Sequence, residues 1–338
     1  MIGSERAAGI DALYPPAGNG GFVMRHQAPL IGVFAAACGL LVNAGVAQAA
    51  AKTWVSATGS DAGTCPRTAP CRTFAFAHSQ TNNNGAINVL NSGNFGPLII
   101  SKPISIVADG VEAVINTAHG ACSCGIHINA PETAIVSLRG LTIDMRGTDN
   151  SGIAFSTGAA LHVSDSVIRK AFNGFFIIPG SGTPELHVAD SIIADSESTG
   201  MLINPQGSAG INVVLERVQV EKAVNTGIWF RGDVSSGAVT GAVRGGVVSG
   251  VANNGILISE AGGGTNQVTI DRSVLANNVT GLRVTGAGAT GRIGNSTLSG
   301  NSASGFSTAS GGVIDSYGTN KMGGKGSDGT PTNTIDTK

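Results

Sequence analysis

The chain has 338 residues with 20 basic and 21 acidic side chains, a formal charge of -1, and only 12% charged residues. That balance speaks against nucleic acid or an anionic membrane surface as the partner, since both call for a basic face. A hydrophobic content of 41% speaks against disorder, and 51 glycines with no three-residue period exclude collagen, which leaves a glycine-rich all-β chain.

Met24-Arg25-His26 precedes an apolar run from Ala28 to Val46, and Ala47-Gln48-Ala49 follows as a small-x-small cleavage site. Together they read as a secretory signal peptide. Residues 1–49 are therefore expected to be a leader, with Met24 as an alternative start and the mature chain beginning near Ala50. Within it, Cys38 is preceded by Ala35-Ala36-Ala37 and lacks the large aliphatic residue of a lipidation site. No later stretch reaches the roughly 18 apolar residues of a membrane helix, so a secreted or periplasmic protein is expected.

Residues 50–84 read as an amino-terminal cap. Cys71 to His78 has the mixed apolar spacing of a short helix, ending before an Asn82-Asn83-Asn84-Gly85 turn. Four cysteines remain after the leader, Cys65, Cys71, Cys122 and Cys124. In an oxidising compartment disulfides are the first reading, with three connectivities open and Cys65 with Cys71 preferred. A metal site is the alternative, because His119, Cys122, Cys124 and His127 fall within nine residues, but their spacing matches no standard zinc pattern.

Residues 85–318 carry the main signal. After two less regular segments, Ala86 to Leu90 and Ile104 to Val107, a small polar residue, a glycine and a large apolar residue recur. The pairs are Gly152-Ile153, Gly174-Phe175, Gly200-Met201, Gly227-Ile228, Gly255-Ile256, Gly281-Leu282 and Gly305-Phe306, at intervals of 22, 26, 27, 28, 26 and 24 residues. A second apolar column runs Ile143, Ile168, Ile193, Val220, Val248, Leu275, Leu298. A third runs Leu138, Val163, Val188, Leu215, Val243, Ile270, Ile293. Between anchors the pattern alternates, as in Leu161-His162-Val163, so the units are short strands with one buried face. A unit of about 25 residues cannot bury its own apolar side, so units must stack on a shared core.

The expected fold is thus all-β, a single-stranded parallel β-helix with a short helical cap, right-handed as parallel crossovers prefer. Leucine-rich repeats would need a leucine consensus that is missing, and propeller blades a longer unit. The polar column Ser151, Asn173, Thr199, Thr226, Asn254, Thr280, Ser304 is expected to hydrogen-bond from coil to coil. Residues 319–338, rich in Gly, Thr, Asp and Lys, read as a flexible tail after a final strand at Val313 to Tyr317.

The strings Thr53-Trp54-Val55-Ser56, Gly59-Ser60-Asp61, Cys65-Pro66, Pro70-Cys71-Arg72-Thr73-Phe74, Gly85-Ala86-Ile87 and Asn91-Ser92-Gly93-Asn94-Phe95-Gly96 resemble the amino-terminal segment of exported bacterial right-handed β-helix proteins of the pectin-lyase-like superfamily. With the coils, the resemblance spans about Lys52 to Tyr317. It implies the fold, and only a broad range of activities: lyases, hydrolases, esterases, tailspikes and adhesins. Neither the paired-aspartate, Gly-His-Gly and Arg-x-Lys signatures of polygalacturonases nor the Gln and Asp pattern of pectin methylesterases is present. The acidic calcium cluster of pectate lyases is not matched either, so no catalytic residue is carried over and calcium is the one cofactor left open.

Stacking by anchors sets His162 beside His187 and Asp165 beside Asp190, about one strand spacing of 4.8 Å apart. Two carboxylates this close would repel, so that one holds a proton, at a spacing near that of a retaining glycosidase pair. Aspartates that simply serve turns are the plainer alternative. Arg169, aligned with Asp144, and Lys170, Asp195 and Lys222 in one column, next to Glu221, add a charged cluster suited to binding a uronate and stabilising its enolate. Such a ladder is also what an exposed surface carries. On another sheet, Ala154, Phe176, Leu202, Trp229, Leu257, Arg283 and Ser307 form an outward column. Trp229 with Arg231 would stack a sugar, or Phe176, Leu202, Trp229 and Leu257 would make a protein interface, or a loop would cover them.

These readings give candidate catalytic residues Asp165, Asp190, Asp195, Arg169 and Lys170, and candidate substrate-binding residues His162, His187, Trp229, Arg231 and Lys222. The expected function is a secreted polysaccharide-interacting protein, a lyase or hydrolase of acidic glycans if catalytic. The alternative is a non-catalytic adhesion or structural protein.

Overall fold

The computed structural model describes residues 50–324 and 326–336, so the leader, its Met24 start and Cys38 lie outside the described residues. Among the described residues the chain winds through three parallel sheets of twelve, ten and nine strands, here called sheets 1, 2 and 3 in the order each coil visits them. Leu161-His162-Val163 lies in sheet 1, Val167–Arg169 in sheet 2 and Asn173–Ile177 in sheet 3. Each strand pairs with its equivalent one coil before and one coil after, which makes the chain a parallel β-helix.

All three apolar columns stack as expected. Leu138, Val163, Val188 and Leu215 are register partners in sheet 1, and Ile143, Ile168, Ile193 and Val220 in sheet 2. Ile153, Phe175, Met201 and Ile228 do the same in sheet 3. Their side chains are withdrawn from water into one continuous core. The glycine ahead of each sheet-3 anchor has a packing cause: a Cβ on Gly200 would lie 2.6 Å from the carbonyl oxygen of Gly227 and 2.4 Å from Val220. Only glycine lets successive backbones approach that closely.

The coil-to-coil hydrogen bonds differ from expectation. The polar column from Ser151 to Ser304 does align, but Thr226 Oγ1 and Asn254 Oδ1 are buried without a partner. The bonds run instead through two inner ladders. At the corner between sheets 1 and 2, the Leu141 amide donates to Ser166 Oγ and the Ser166 amide to Ser191 Oγ, both at 3.2 Å. At the next corner, the Val251 amide donates to Asn278 Oδ1 and the Asn278 amide to Asn301 Oδ1. A tight corner leaves backbone amides that the strands cannot satisfy, so the side chain directly beneath is where a polar residue is needed.

The two ends are built differently. The helix Phe74–Gln80 caps the first coil, with Thr73 Oγ1 accepting from the Phe76 amide and Phe74 packing at 5.1 Å on Phe95. The expected Asn82 to Gly85 turn is instead a bulge within the strand Thr81–Val89: Ala50 pairs with Thr81, but Lys52 pairs with Ala86. The cap segment itself thus supplies the first strand of sheet 1, Ala50–Val55. At the far end, the stretch expected as a loose tail continues the coil. Lys321–Gly323 pairs with Thr297–Ser299, and Asn333–Thr334 pairs with the strand Val313–Ser316. An open sheet edge offers unpaired amides and carbonyls that even a Gly- and Thr-rich chain can satisfy.

Disulfides join Cys65 to Cys71 and Cys122 to Cys124. The second removes both sulfurs from the metal reading, and the strand adds a geometric reason: Cys124 and Ile126 point into the core while His127 points outward. No helix among the described residues is long and apolar enough to cross a membrane.

Candidate functional site

The corner between sheets 1 and 2 is two residues long, Asp165-Ser166 in one coil and Asp190-Ser191 in the next. Its first residue adopts a left-handed conformation, at φ 51° for Asp165, 49° for Asp190 and 51° for Arg217. Aspartate tolerates this better than most residues, which is the local reason for its presence here. The Asp165 amide donates to Ala189 O and the Asp190 amide to Glu216 O, so successive corners sit directly over one another.

The two aspartates are neighbours as expected, but arginines claim both. Arg139, the last residue of the strand Ile135–Arg139, places Nε 3.0 Å from Asp165 and 3.5 Å from Asp109, carboxylates on its two sides. Arg217, next in the corner column, meets both oxygens of Asp190 at 2.6 and 2.7 Å. The hydrogen bonds from Arg217 hold the Asp190 carboxyl below its ordinary range. Asp190 is therefore not the protonated member expected of such a pair, because a guanidinium stabilises the ionised carboxylate that a bare neighbour would destabilise.

The second charged group stands apart from the first. Arg169 bonds Asp144 at 2.9 Å, and Lys222 lies 3.9 Å from Asp195, below Lys170 in the left-handed column at the corner between sheets 2 and 3. The three-residue strands of sheet 2, about 10 Å long, separate this column from Asp165 and Asp190. Asp165 and Asp190 thus stand at the start of these strands and Lys170 and Asp195 just past their end, with Arg169 on the strand between. The aspartates serve as corner residues and ion-pair partners.

On the outer face of sheet 1, His162 and His187 are register partners with ring centroids 5.9 Å apart, edge to face. They line a concavity with Ser105, Ser137, Arg139 and Ser164. A second concavity, lined by Asp109, Glu112, Arg139, Thr142 and Asp165, adjoins it through Arg139. A third, lined by Asp190, Ile192, Arg217 and Gln219, follows on the next coils. The three form a seam along the sheet 1 to sheet 2 corner, apolar at the histidine end and polar beyond it. Of its members, Asp109, Glu112, Arg139, Arg217, Ser105 and Ser137 were not foreseen. Arg217 was within reach, since it occupies the column of Asp165 and Asp190 one coil on.

Calcium does not fit this seam. The place between Asp109 and Asp165 is taken by the Arg139 guanidinium, and Asp190 is engaged at both oxygens. Hard cations need carboxylates free of competing cations.

On sheet 3, Ala154, Phe176, Leu202, Trp229, Leu257, Arg283 and Ser307 stack in register as expected. The large members are half-buried by one another rather than fully exposed. Trp229 Nε1 donates to Ser259 Oγ at 2.9 Å, and the Arg231 guanidinium, tied to Asp233, lies 4.8 Å over its ring. A cation thus occupies a ring face that a sugar would use.

No protein-family profile matches the sequence, and no curated protein matches it. Among solved structures, pectate lyase Pel9A is similar at a TM-score of 0.51 and 12% identity, over 85% of this chain and 78% of that one. The A-module of the Azotobacter vinelandii mannuronan C-5 epimerase AlgE6 is similar at 0.48 and 12% identity, over 75% and 89%. Pectin methylesterase PemA from Erwinia chrysanthemi is similar at 0.44 and 13% identity, over 84% and 92%. At these identities the likeness is one of fold.

Proposed function

We propose that this chain is an exported protein that binds a polysaccharide along the sheet 1 to sheet 2 seam. The observation that carries the reading is the run of adjoining concavities there, which brings Arg139, Arg217, His162 and His187 onto one flank. Successive coils repeat at about 4.8 Å, so the seam offers imidazoles and paired guanidinium and carboxylate groups at intervals along an extended line, hydrogen-bonding partners that a linear glycan can follow. The fold shared with a pectate lyase, the leader and the two disulfides support the same reading.

Engagement is favoured over cleavage. A general acid must hold a proton near neutral pH, and the hydrogen bonds from Arg217 instead lower the pKa of Asp190. Native gels cast with polyuronides and with neutral glycans test this, together with an assay for unsaturated products and new reducing ends. Retardation by at least one glycan of the panel, weakened in Arg139→Ala and Arg217→Ala and without product, is the expected result. Absence of retardation defeats the proposal, and product formation replaces binding by catalysis.

A second reading rests on the sheet 3 column of Phe176, Leu202, Trp229 and Leu257, which would serve assembly or adhesion. Light scattering of wild type against Trp229→Ala addresses the assembly form. A monomeric wild type ends it.

A further inference from the structure

The His162 and His187 pair has a chemistry that glycan binding does not use. The two imidazoles stand on adjacent strands of sheet 1 in exact register, on the outer face, in a concavity open to solvent. His187 Nε2 is buried and has no hydrogen-bond partner in the protein. A buried ring nitrogen is normally paired, so an orphan beside a second imidazole is an unfilled valence rather than a packing detail.

Two imidazoles bound to one ion, at metal–nitrogen distances of about 2.0–2.1 Å, bring their ring centroids to about 5–6 Å. The observed separation is 5.9 Å. The nearest fixed cation, Arg139, lines the same concavity but is neutralised by Asp109 and Asp165. Ser137, the register partner of His162 on the preceding coil, and Ser164 line the same concavity with hydroxyls that can hold metal-bound water. Imidazole suits copper, nickel and zinc rather than calcium or magnesium.

We propose that His162 and His187 bind one divalent transition-metal ion across neighbouring coils. The protein supplies two ligands, and the remaining positions are left to water or to an incoming anion. No group of three or more His, Cys, Asp or Glu among the described residues is placed to hold a metal, so this is a two-ligand site and not a closed structural one. His127, on the outer face of sheet 3, differs: its Nε2 is bonded to Ser156 Oγ at 2.9 Å.

The test uses the untagged mature chain titrated with Cu²⁺, read by calorimetry and by electron paramagnetic resonance. The expected result is one ion per chain, with a signal from two coordinated nitrogens. His162→Gln and His187→Gln should each weaken binding at least about tenfold and reduce the nitrogen count to one, as loss of one of two ligands requires. Both side chains lie on the outer face of the sheet, and an unchanged melting temperature in the absence of copper confirms that the variants fold. His127→Gln should bind like wild type. Wild-type affinity in His162→Gln, or equal loss in His127→Gln, would overturn the proposal. Because the readout contains no glycan, its failure leaves the polysaccharide reading untouched, and the converse holds.

Discussion

The first and third corners of each coil are built on opposite terms. From the strand Ala160–Ser164 onward, six successive corners between sheets 1 and 2 have two residues each, whereas the return from sheet 3 to sheet 1 ranges from two residues to seven. Most of the variation in the 22- to 28-residue repeat therefore arises at the return corner. A corner of constant length fixes where its side chains stand, so Asp165, Asp190 and Arg217 can form a column. A corner of variable length absorbs insertions and keeps no single column of side chains in register over many coils. The seam is consequently the flank on which a repeated binding surface can be built.

The contrast can be broken at several points. The largest effect is expected in the shared wall, where Phe175 is fully buried: Phe175→Ala should cost about 3–5 kcal/mol by denaturant unfolding. A comparable change within the return corner between Ile177 and Glu185 should cost far less.

The capped end should respond to acid. Burial, with Lys102 nearby, lowers the pKa of His78 to about 4, and its Nε2 accepts weakly from the Ser101 amide at 3.4 Å. The folded cap thus keeps His78 neutral, while the unfolded chain takes up a proton near pH 6.5. Stability should fall as pH drops from about 6.5 to about 4, by roughly 3 kcal/mol at most, and be flat with respect to this group outside that window. Urea midpoints of wild type and His78→Asn across that range check it: the difference between them should shrink toward acid.

A smaller effect separates two glycines. Gly200→Ala drives a Cβ against the Gly227 carbonyl and should cost about 1–3 kcal/mol. Gly180, in the return corner, has nothing within 4 Å of a Cβ, so Gly180→Ala should stay within about 0.5 kcal/mol of wild type in the same assay. The smallest effect is on ionisation alone. Arg217→Ala should return the Asp190 carboxyl toward its ordinary range, seen by NMR titration, with the backbone unchanged.

Much of the fold was legible because apolar side chains at a fixed offset must share one interior, and all three columns, including Val163, Val188 and Leu215, could be read from spacing. The seam was legible only in part. Asp165, Asp190, His162 and His187 follow from the same alignment, but Arg139 reaches Asp165 diagonally from the end of a strand, and no column contains that contact. The cysteines illustrate the same limit: the Cys65 pairing follows from a short loop, whereas Cys122 and Cys124 were separable from the nearby histidines only once the strand showed which side chains face inward. The tail was misread because its composition signals a loop while the open edge above it supplies the pairing.

Everything at the seam depends on coils being neighbours one repeat apart. Cysteine pairs on the outer face of sheet 2 test this most directly, since a disulfide needs Cα atoms about 4.4–6.8 Å apart and coils repeat at about 4.8 Å. Val167 and Ile192 are register partners, whereas Val167 and Gln219 lie two coils apart. Val167→Cys with Ile192→Cys should crosslink on mild oxidation and shift on a non-reducing gel, and Val167→Cys with Gln219→Cys should not. Efficient crosslinking of the second pair, or none in the first, would contradict the stacking and remove the seam with it.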